Sequence, residues 1–584
     1  MRPLKQFLLG CVLILAAVAP TGAAMVSPAW VALYDSPRDP FNAPPFDEGW
    51  AMGVDATGNV YVAGGGYDTN YHQQWVLLKY NAEGALLWTR ALSGPDAPRG
   101  SAYGLALTAG GEVIVVGHAE DPISPTAVAT IKFDGDGNIL WQARYGPAYL
   151  GSDLSSPITV DAQDNVYVIG SVWRTSHDAD CVTLKYDRDG HQLWVAHYDG
   201  PAHREERAQA LAVDGAGSVY VTGSSVSHCF LDRDGDENCP TDLLTVKYDA
   251  NGQELWVARY DGPGASHDRA NAIALDAFGH VYVAGFSFGR DFVQGWATIK
   301  YTRDGQRLWV ARRNSPGDYS GAMALAVDRI GHAYVTGPGF HTIKYGVFGQ
   351  VLWEQSVFLG YPAALALDAH GNVCVGGSGG VVAGAGGFAA VKFDPFGNVL
   401  WSGTWNDDTN SWEWVNDLAL DRSGNLHLTG STDSLAVGDP AMATLKFAGP
   451  TNPLPPLVDI RATDPVAVEG GLGGRGTATF TLRRTGETTA PLPVLFVVGG
   501  TASNGVDYET LGGLAVFPAG FSTTQILIRV RDDRWREGLE TVRVKLEGNP
   551  QYRLGSQREA VAFIVDNDRH FGRKPMAFRS ILNE

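Results

Sequence analysis

The sequence predicts an all-β chain: a closed eight-bladed β-propeller followed by an immunoglobulin-like β-sandwich. Three observations predict it. A unit reading A-L-A-L-D-x-x-G-N-V-Y-V-x-G, a variable loop, then T-x-K-Y-D-x-x-G-x-x-L-W-V-A-R-Y recurs up to Phe447. Its tryptophan returns at Trp88, Trp141, Trp194, Trp256, Trp309, Trp353 and Trp401, spaced by 53, 53, 62, 53, 44 and 48 residues. Four short strands in a period of about 40–60 residues is the pattern of a propeller. Beyond a proline-rich stretch the repeat stops and a different strand alternation begins. Glycine, at 72 of 584 residues, is well above the usual ~7%, as many tight turns require.

Residues 1–24 are expected to be a signal peptide. Arg2 and Lys5 give the basic start, Phe7 to Val18 the apolar run, and Gly22, Ala23 and Ala24 the small cleavage residues. Leu8-Leu9-Gly10-Cys11 resembles a lipoprotein cleavage box, but most of the apolar run follows the cysteine instead of preceding it. No later stretch reaches the ~20 apolar residues of a membrane span. The chain is therefore expected to be exported, to a secreted, periplasmic or cell-surface location, as a monomer. A net charge of −19 argues against nucleic acid and anionic membranes as partners and suits cations.

The propeller is assigned to residues 25–448. An eighth copy of the tryptophan strand, around Trp30, precedes the first full unit, and the last unit lacks that strand. Joining the two closes the ring and removes its exposed strand edges. Alanine-rich strands suit the crowded axis, β-branched V-Y-V strands the middle, and tryptophan strands the wide rim. The first-turn aspartates Asp55, Asp161, Asp214, Asp276, Asp328, Asp368 and Asp421, with Thr108 breaking the set, are expected to bind local amides. The recurring lysine, Lys79 through Lys446, is expected to hold turn carboxylates or carbonyls. Cys229 and Cys239 are expected to form a disulfide, and Cys181 and Cys374 to be buried free thiols.

Short D-x-x-G turns fall on one rim, and loops of variable length on the other, where function tends to sit. Five acidic residues stand eight positions before the turn: Asp47, Asp153, Glu206, Asp268 and Glu413. They start the innermost strands, as structural caps or as a ring for a cation or polar ligand at the channel mouth. The longest loop carries Asp232, Asp234 and Asp236 around Gly235, between the two cysteines. It reads either as a Ca²⁺-stapled loop, since calcium takes six to eight oxygens, or as a solvated acidic hairpin. Loop aromatics Trp173, Trp296 and Trp412 are expected to stack on sugars or to pack in the core. The repeat as a whole, over residues 30–447, resembles the bacterial β-propeller repeat family abbreviated SBBP, whose members are exported.

Residues 449–456 form a stiff linker, and residues 569–584 a tail. Between them, residues 457–568 contain Val468-Glu469-Gly470, Ala478-Thr479-Phe480-Thr481-Leu482, Gly500-Thr501-Ala502, Asp507-Tyr508, Phe517-Pro518-Ala519-Gly520, Asp532-Asp533, Glu537-Gly538-Leu539-Glu540 and Asp566-Asn567-Asp568. Alternating strands between these turn signals make a β-sandwich. This ordered set resembles the Calx-beta domain. The resemblance implies calcium as cofactor, held at one end of the sandwich by Glu469, Asp507, Asp532, Asp533, Glu537, Asp566 and Asp568. Carboxylates crowded together repel one another unless a cation joins them.

Catalytic patterns are weak. The K-Y-D-x-x-G turn, as in Asp249 to Gly252, is one residue shorter than the motif of eight-bladed quinoprotein dehydrogenases, and no adjacent cysteine pair exists. In Thr302-Arg303-Asp304-Gly305 the glycine comes one position too early for a sialidase Asp box. Gly376-Gly377-Ser378-Gly379-Gly380 fits G-x-S-x-G by letter but falls at a strand end, as a glycine-rich loop, away from any strand-to-helix elbow. The fourteen histidines show no H-E-x-x-H spacing. Two classes of function follow. One is a non-enzymatic binding, adhesion or scaffold protein whose loop rim contacts an extracellular protein or glycan. The other is a propeller enzyme, a polysaccharide lyase or hydrolase or a quinoprotein, using the channel-mouth carboxylates as acid and base.

Overall fold

A computed structural model describes residues 24–36, 47–68, 72–92, 100–119, 127–146, 157–175, 178–231, 237–290, 293–314, 321–357, 359–380, 386–395, 397–406, 413–432, 441–449, 455–470, 476–484, 488, 490–532, 538–555 and 557–567. The chain divides into two compact units, residues 1–450 and 451–584.

In the first unit the described residues form eight sheets in chain order, seven of four antiparallel strands and one whose four antiparallel strands are joined by a fifth, parallel strand. We call them blades 1 to 8, starting at residues 48, 102, 158, 206, 269, 324, 359 and 413. The first strand of each blade lies against the first strands of the blades before and after it, and that of blade 8 lies against that of blade 1. The alanine-rich strands thus form the innermost circle, as patterning predicts. The V-Y-V strands are buried on both faces, because each blade packs against two neighbours.

Blade 8 takes its outer strand from the N-terminal segment. Trp30–Tyr34 pairs antiparallel with Ala441–Phe447, Trp30 opposite Lys446 and Tyr34 opposite Met442. A second N-terminal strand was not foreseen. Ala24–Val26 pairs in parallel with Trp401 to Gly403 at the outer edge of blade 7. It includes Ala24, which the sequence assigns to the signal segment; three residues are too few for any periodicity to mark. The repeat lengths also acquire a cause. The shortest spacing ends in blade 6, where a three-residue 3₁₀ turn, Pro338–Phe340, replaces a longer loop. The longest spans the hairpin Phe230–Leu231/Glu237–Asn238 of blade 4.

The second unit is a sandwich of two sheets. One contains Leu457–Asp464, Thr477–Arg484, Thr523–Arg529 and Arg553–Leu554; the other contains Val466–Val468, Leu492–Gly500, Leu514–Phe517, Glu540–Leu546 and Glu559–Val565. Their inner faces bury a core that includes Ile460, Phe480, Leu482, Val494, Phe517, Ile528, Val544 and Ile564.

Candidate functional site

The letters that recur in every unit are engaged in holding blades together. The indole N–H groups of Trp30, Trp88, Trp141, Trp194, Trp256, Trp309 and Trp353 donate to carbonyl oxygens in the last turn of the following blade, at 3.0–3.3 Å. In six blades the recurring lysine donates to the same oxygen: Lys79, Lys132, Lys185, Lys247, Lys344 and Lys446, at 2.8–3.4 Å. Five of the recurring lysines, Lys79, Lys185, Lys247, Lys300 and Lys344, lie over the tyrosine ring of their own blade, 4.7–5.0 Å from its centroid. The ammonium groups of Lys79, Lys185, Lys247 and Lys344 are thus each matched by a carbonyl dipole and a ring face, and Lys300 lies 3.7 Å from Asp276. These lysines are structural.

The first-turn aspartates behave as turn residues. Asp55 accepts from the backbone N–H of Thr57 and Asn59 and from the Asn59 amide, at 2.8–2.9 Å. The pattern repeats at Asp161, Asp368 and Asp421. Burial works against ionisation of Asp421, but hydrogen bonds from His427, Asn425 and Lys446 outweigh it and hold the carboxyl below its ordinary range. Blade 2 keeps the chemistry with the letters moved. Thr108 replaces the aspartate, and Glu112, four residues on, supplies the carboxylate, 2.6 Å from Lys132.

The acidic residues eight positions earlier are placed unevenly. Asp47, Glu206, Asp268 and Glu413 are buried, and Asp153 lies outside the described residues. Asp47 accepts from the Ser36 backbone N–H and hydroxyl. Asp268 accepts from the N–H of Gly262 and of Phe288. Both therefore cap the crossover from one blade to the next. Glu206 differs: Ser225 donates to Oε1 at 3.1 Å, while Oε2 is enclosed and has no hydrogen-bond partner. Burial, then the charges of Asp199 and Asp180, raise its pKa to about 7 against the hydrogen bonds from Gly200 and Ser225.

Cys229 and Cys239 are joined as a disulfide, and Cys181 and Cys374 are buried and free. Glu237 beside the disulfide pairs with Arg204 at 2.6 Å. Asp232, Asp234 and Asp236 lie outside the described residues, as do Trp412 and, for its side chain, Trp173. Trp296, read from sequence as a loop aromatic, belongs to the strand Gln294–Tyr301 and is buried, its ring edge-on to His341. Ser378 of the G-x-S-x-G match sits in the strand Val373–Gly380, a correction to the expected loop. Its hydroxyl oxygen accepts from the Val415 N–H at 2.8 Å, and a side chain at Gly376 would collide with Leu428. A cavity of about 630 Å³ was not read from sequence: it lies on the short-turn rim between blades 8, 1 and 2, lined by Asp55, Thr57, Leu107, Thr108, Leu420 and Arg422.

In the sandwich, chain segments far apart in sequence converge. The Asn567 amide donates to the backbone carbonyl of Glu469 and to Asp532 Oδ1, the latter at 3.2 Å. The Arg531 N–H donates to the Asp507 carbonyl at 2.9 Å, which ties the Asp507 loop to the same end. Glu469 and Asp507 are almost fully buried, while Asp532 is exposed. Asp507 accepts from the Ser503 N–H at 2.6 Å. Arg531 also bonds the Gly505 carbonyl at 2.7 Å, a cation near the carboxylates that the sequence reading overlooked. Asp533, Glu537 and Asp568 lie outside the described residues.

Residues 472–568 match the Calx-beta domain family, so the C-terminal sandwich is a Calx-beta domain. A stretch of 163 residues is 29% identical to the regulatory protein FlaEY of Caulobacter vibrioides; it covers 26% of this chain but only 16% of that protein. Among solved structures, the C-terminal WD40 domain of Sif2 is similar at 8% identity, over 72% of this chain and 99% of that one, with a TM-score of 0.39. The Dos1 propeller is similar at 10% identity over 60% and 92%, with a TM-score of 0.40. The apo-form Calx CBD1 domain is similar at 24% identity over 19% and 98%, with a TM-score of 0.17.

Proposed function

We propose that this chain is an exported binding or scaffold protein, in which the loop rim of an SBBP-type propeller contacts an extracellular protein or glycan and the Calx-beta domain binds calcium. One observation carries the reading: the residues common to all units are engaged in blade-to-blade and turn bonds. Ligand chemistry is then left to the loops in which the units differ, which is where scaffold proteins carry recognition. Calcium is supported by the convergence of Glu469, Asp507, Asp532 and Asn567 at one end of the sandwich, and by the match of residues 472–568 to the Calx-beta family.

The test is a binding screen of the full chain, without its first 24 residues, against glycan and extracellular-protein arrays in calcium and in EDTA. Binding that is lost when a loop after a V-Y-V strand is replaced by a Gly-Ser segment supports the reading. Turnover of a polysaccharide by the same protein, abolished by Glu413→Gln, overturns it in favour of an enzyme.

A further inference from the structure

The propeller contains a carboxylate cluster separate from the sandwich. Asp180 lies on the third strand of blade 3, Asp199 directly follows the fourth strand, and Glu206 begins the innermost strand of blade 4. One oxygen of each lies within 4.8 Å of the other two. Asp180 and Glu206 are fully enclosed, and Asp199 is partly so. The independent sign of a ligand is Glu206 Oε2. It is buried, it receives no hydrogen bond, and Glu206 forms no ion pair among the described residues. A buried carboxylate oxygen with nothing bound to it is costly to keep ionised.

The next junction serves as an internal control. Asp242, Asp261 and Asp268 hold the same repeat positions one blade later, and there the carboxylate at the Glu206 position has a hydrogen bond to each of its two oxygens. Asp268 accepts from the N–H groups of Gly262 and Phe288. Asp242 lies near Ser227 and within the field of Arg259 and His228. Blade 3 carries His197 where blade 4 carries Arg259, each three residues after the repeat tryptophan. His197 stands 3.9 Å from Asp180 and also meets the Tyr145 hydroxyl at 2.9 Å. His203 stands 2.8 Å from Asp199. Blade 3 thus has a histidine where blade 4 has an arginine, and Arg259 itself reaches back to the Tyr198 hydroxyl beside Asp199.

We infer that Asp180, Asp199 and Glu206 bind a hard divalent cation of the calcium class, which ties the crossover between blades 3 and 4. All three donors are carboxylate oxygens, which hard cations select. Oxygens that all lie within 4.8 Å of one another can be spanned by an ion with bonds of about 2.3–2.6 Å. Water completes the coordination.

The test uses the full chain carrying Asp507→Asn and Asp532→Asn, so that sandwich sites do not mask the result. The chain is stripped with EDTA, and calcium binding is followed by equilibrium dialysis and calorimetry. One bound calcium is expected. Glu206→Gln should abolish it without lowering the melting temperature in EDTA, because the substitution relieves repulsion. Asp199→Asn, at the half-exposed position, should weaken it by roughly tenfold or more. If Glu206→Gln melts lower in EDTA, Asp199→Asn alone decides. No bound calcium in the parent, or the same isotherm in both variants, overturns the inference. Loss of sandwich binding leaves it untouched, since its ligands are different residues.

Discussion

At the scale of the residue, glycine and tryptophan define each other's place. The second-turn glycines have positive φ, and a Cβ on Gly84 would lie 2.6 Å from the Trp30 ring, as one on Gly190 would from Trp141. Two constraints act at once: left-handed backbone, and an indole packed flat on the turn. Gly111 has the same kind of φ, +85°, with nothing within 4 Å of a Cβ. Gly84→Ala should therefore cost about 2–3 kcal/mol, and Gly111→Ala only about 1. Paired denaturant titrations measure the difference; equal losses would show that the Trp30 contact contributes nothing. In the first turn of blade 3, Asp164 takes the glycine position at φ +61°, one of the few residue types that adopt it readily.

At the scale of the element, the N-terminal segment carries most of the consequence. It edges blade 7 with Ala24–Val26 and completes blade 8 with Trp30–Tyr34, its Trp30 ring between Tyr80 and His427. Deleting residues 24–36 should lower the melting temperature by well over 5 °C and yield oligomers on size-exclusion chromatography, as the bared edges of two blades pair between molecules. A monomer with an unchanged melting temperature would contradict the closure. Inner strands also set the pH response. Burial raises the Asp417 pKa to about 6, against hydrogen bonds from the N–H groups of Met52 and Leu418. Its contribution to stability is complete below about pH 4 and is lost as pH rises through 6. The first-turn aspartates Asp55, Asp161, Asp276, Asp328, Asp368 and Asp421 act in the opposite sense. Their folded pKa values lie below the ordinary range, so their contribution holds above about pH 4 and is lost in stronger acid. Stability should peak near pH 5, and Asp417→Asn should flatten the decline between pH 5 and 7 by about 1–2 kcal/mol. A wild-type profile that rises steadily to pH 8 would contradict this.

At the scale of the whole molecule, two units of different design share one chain, and they were legible to different degrees. The propeller could be read because its period is written many times over, in Trp, Lys and Asp letters whose bonds each turn needs. Ala24–Val26 is too short to show a pattern, and Glu112 replaces a missing aspartate from four residues away. The cluster of Asp180, Asp199 and Glu206 depends on topology: only blade packing joins residues spread over 27 positions of sequence. Trp296 takes the core-packing alternative of its two readings, because its strand extends further into the variable region than the repeat implies. The sandwich was legible through motif order, which marks the loops that meet at its end without giving their distances. Calcium binding there is the central functional claim, and a calorimetric titration of the EDTA-stripped full chain tests it most directly. Calcium should bind with an affinity of roughly 10⁻⁴–10⁻³ M, and Asp507→Asn with Asp532→Asn should remove the sandwich ions while leaving the propeller's melting transition in place. An isotherm unchanged by those two substitutions would contradict the claim.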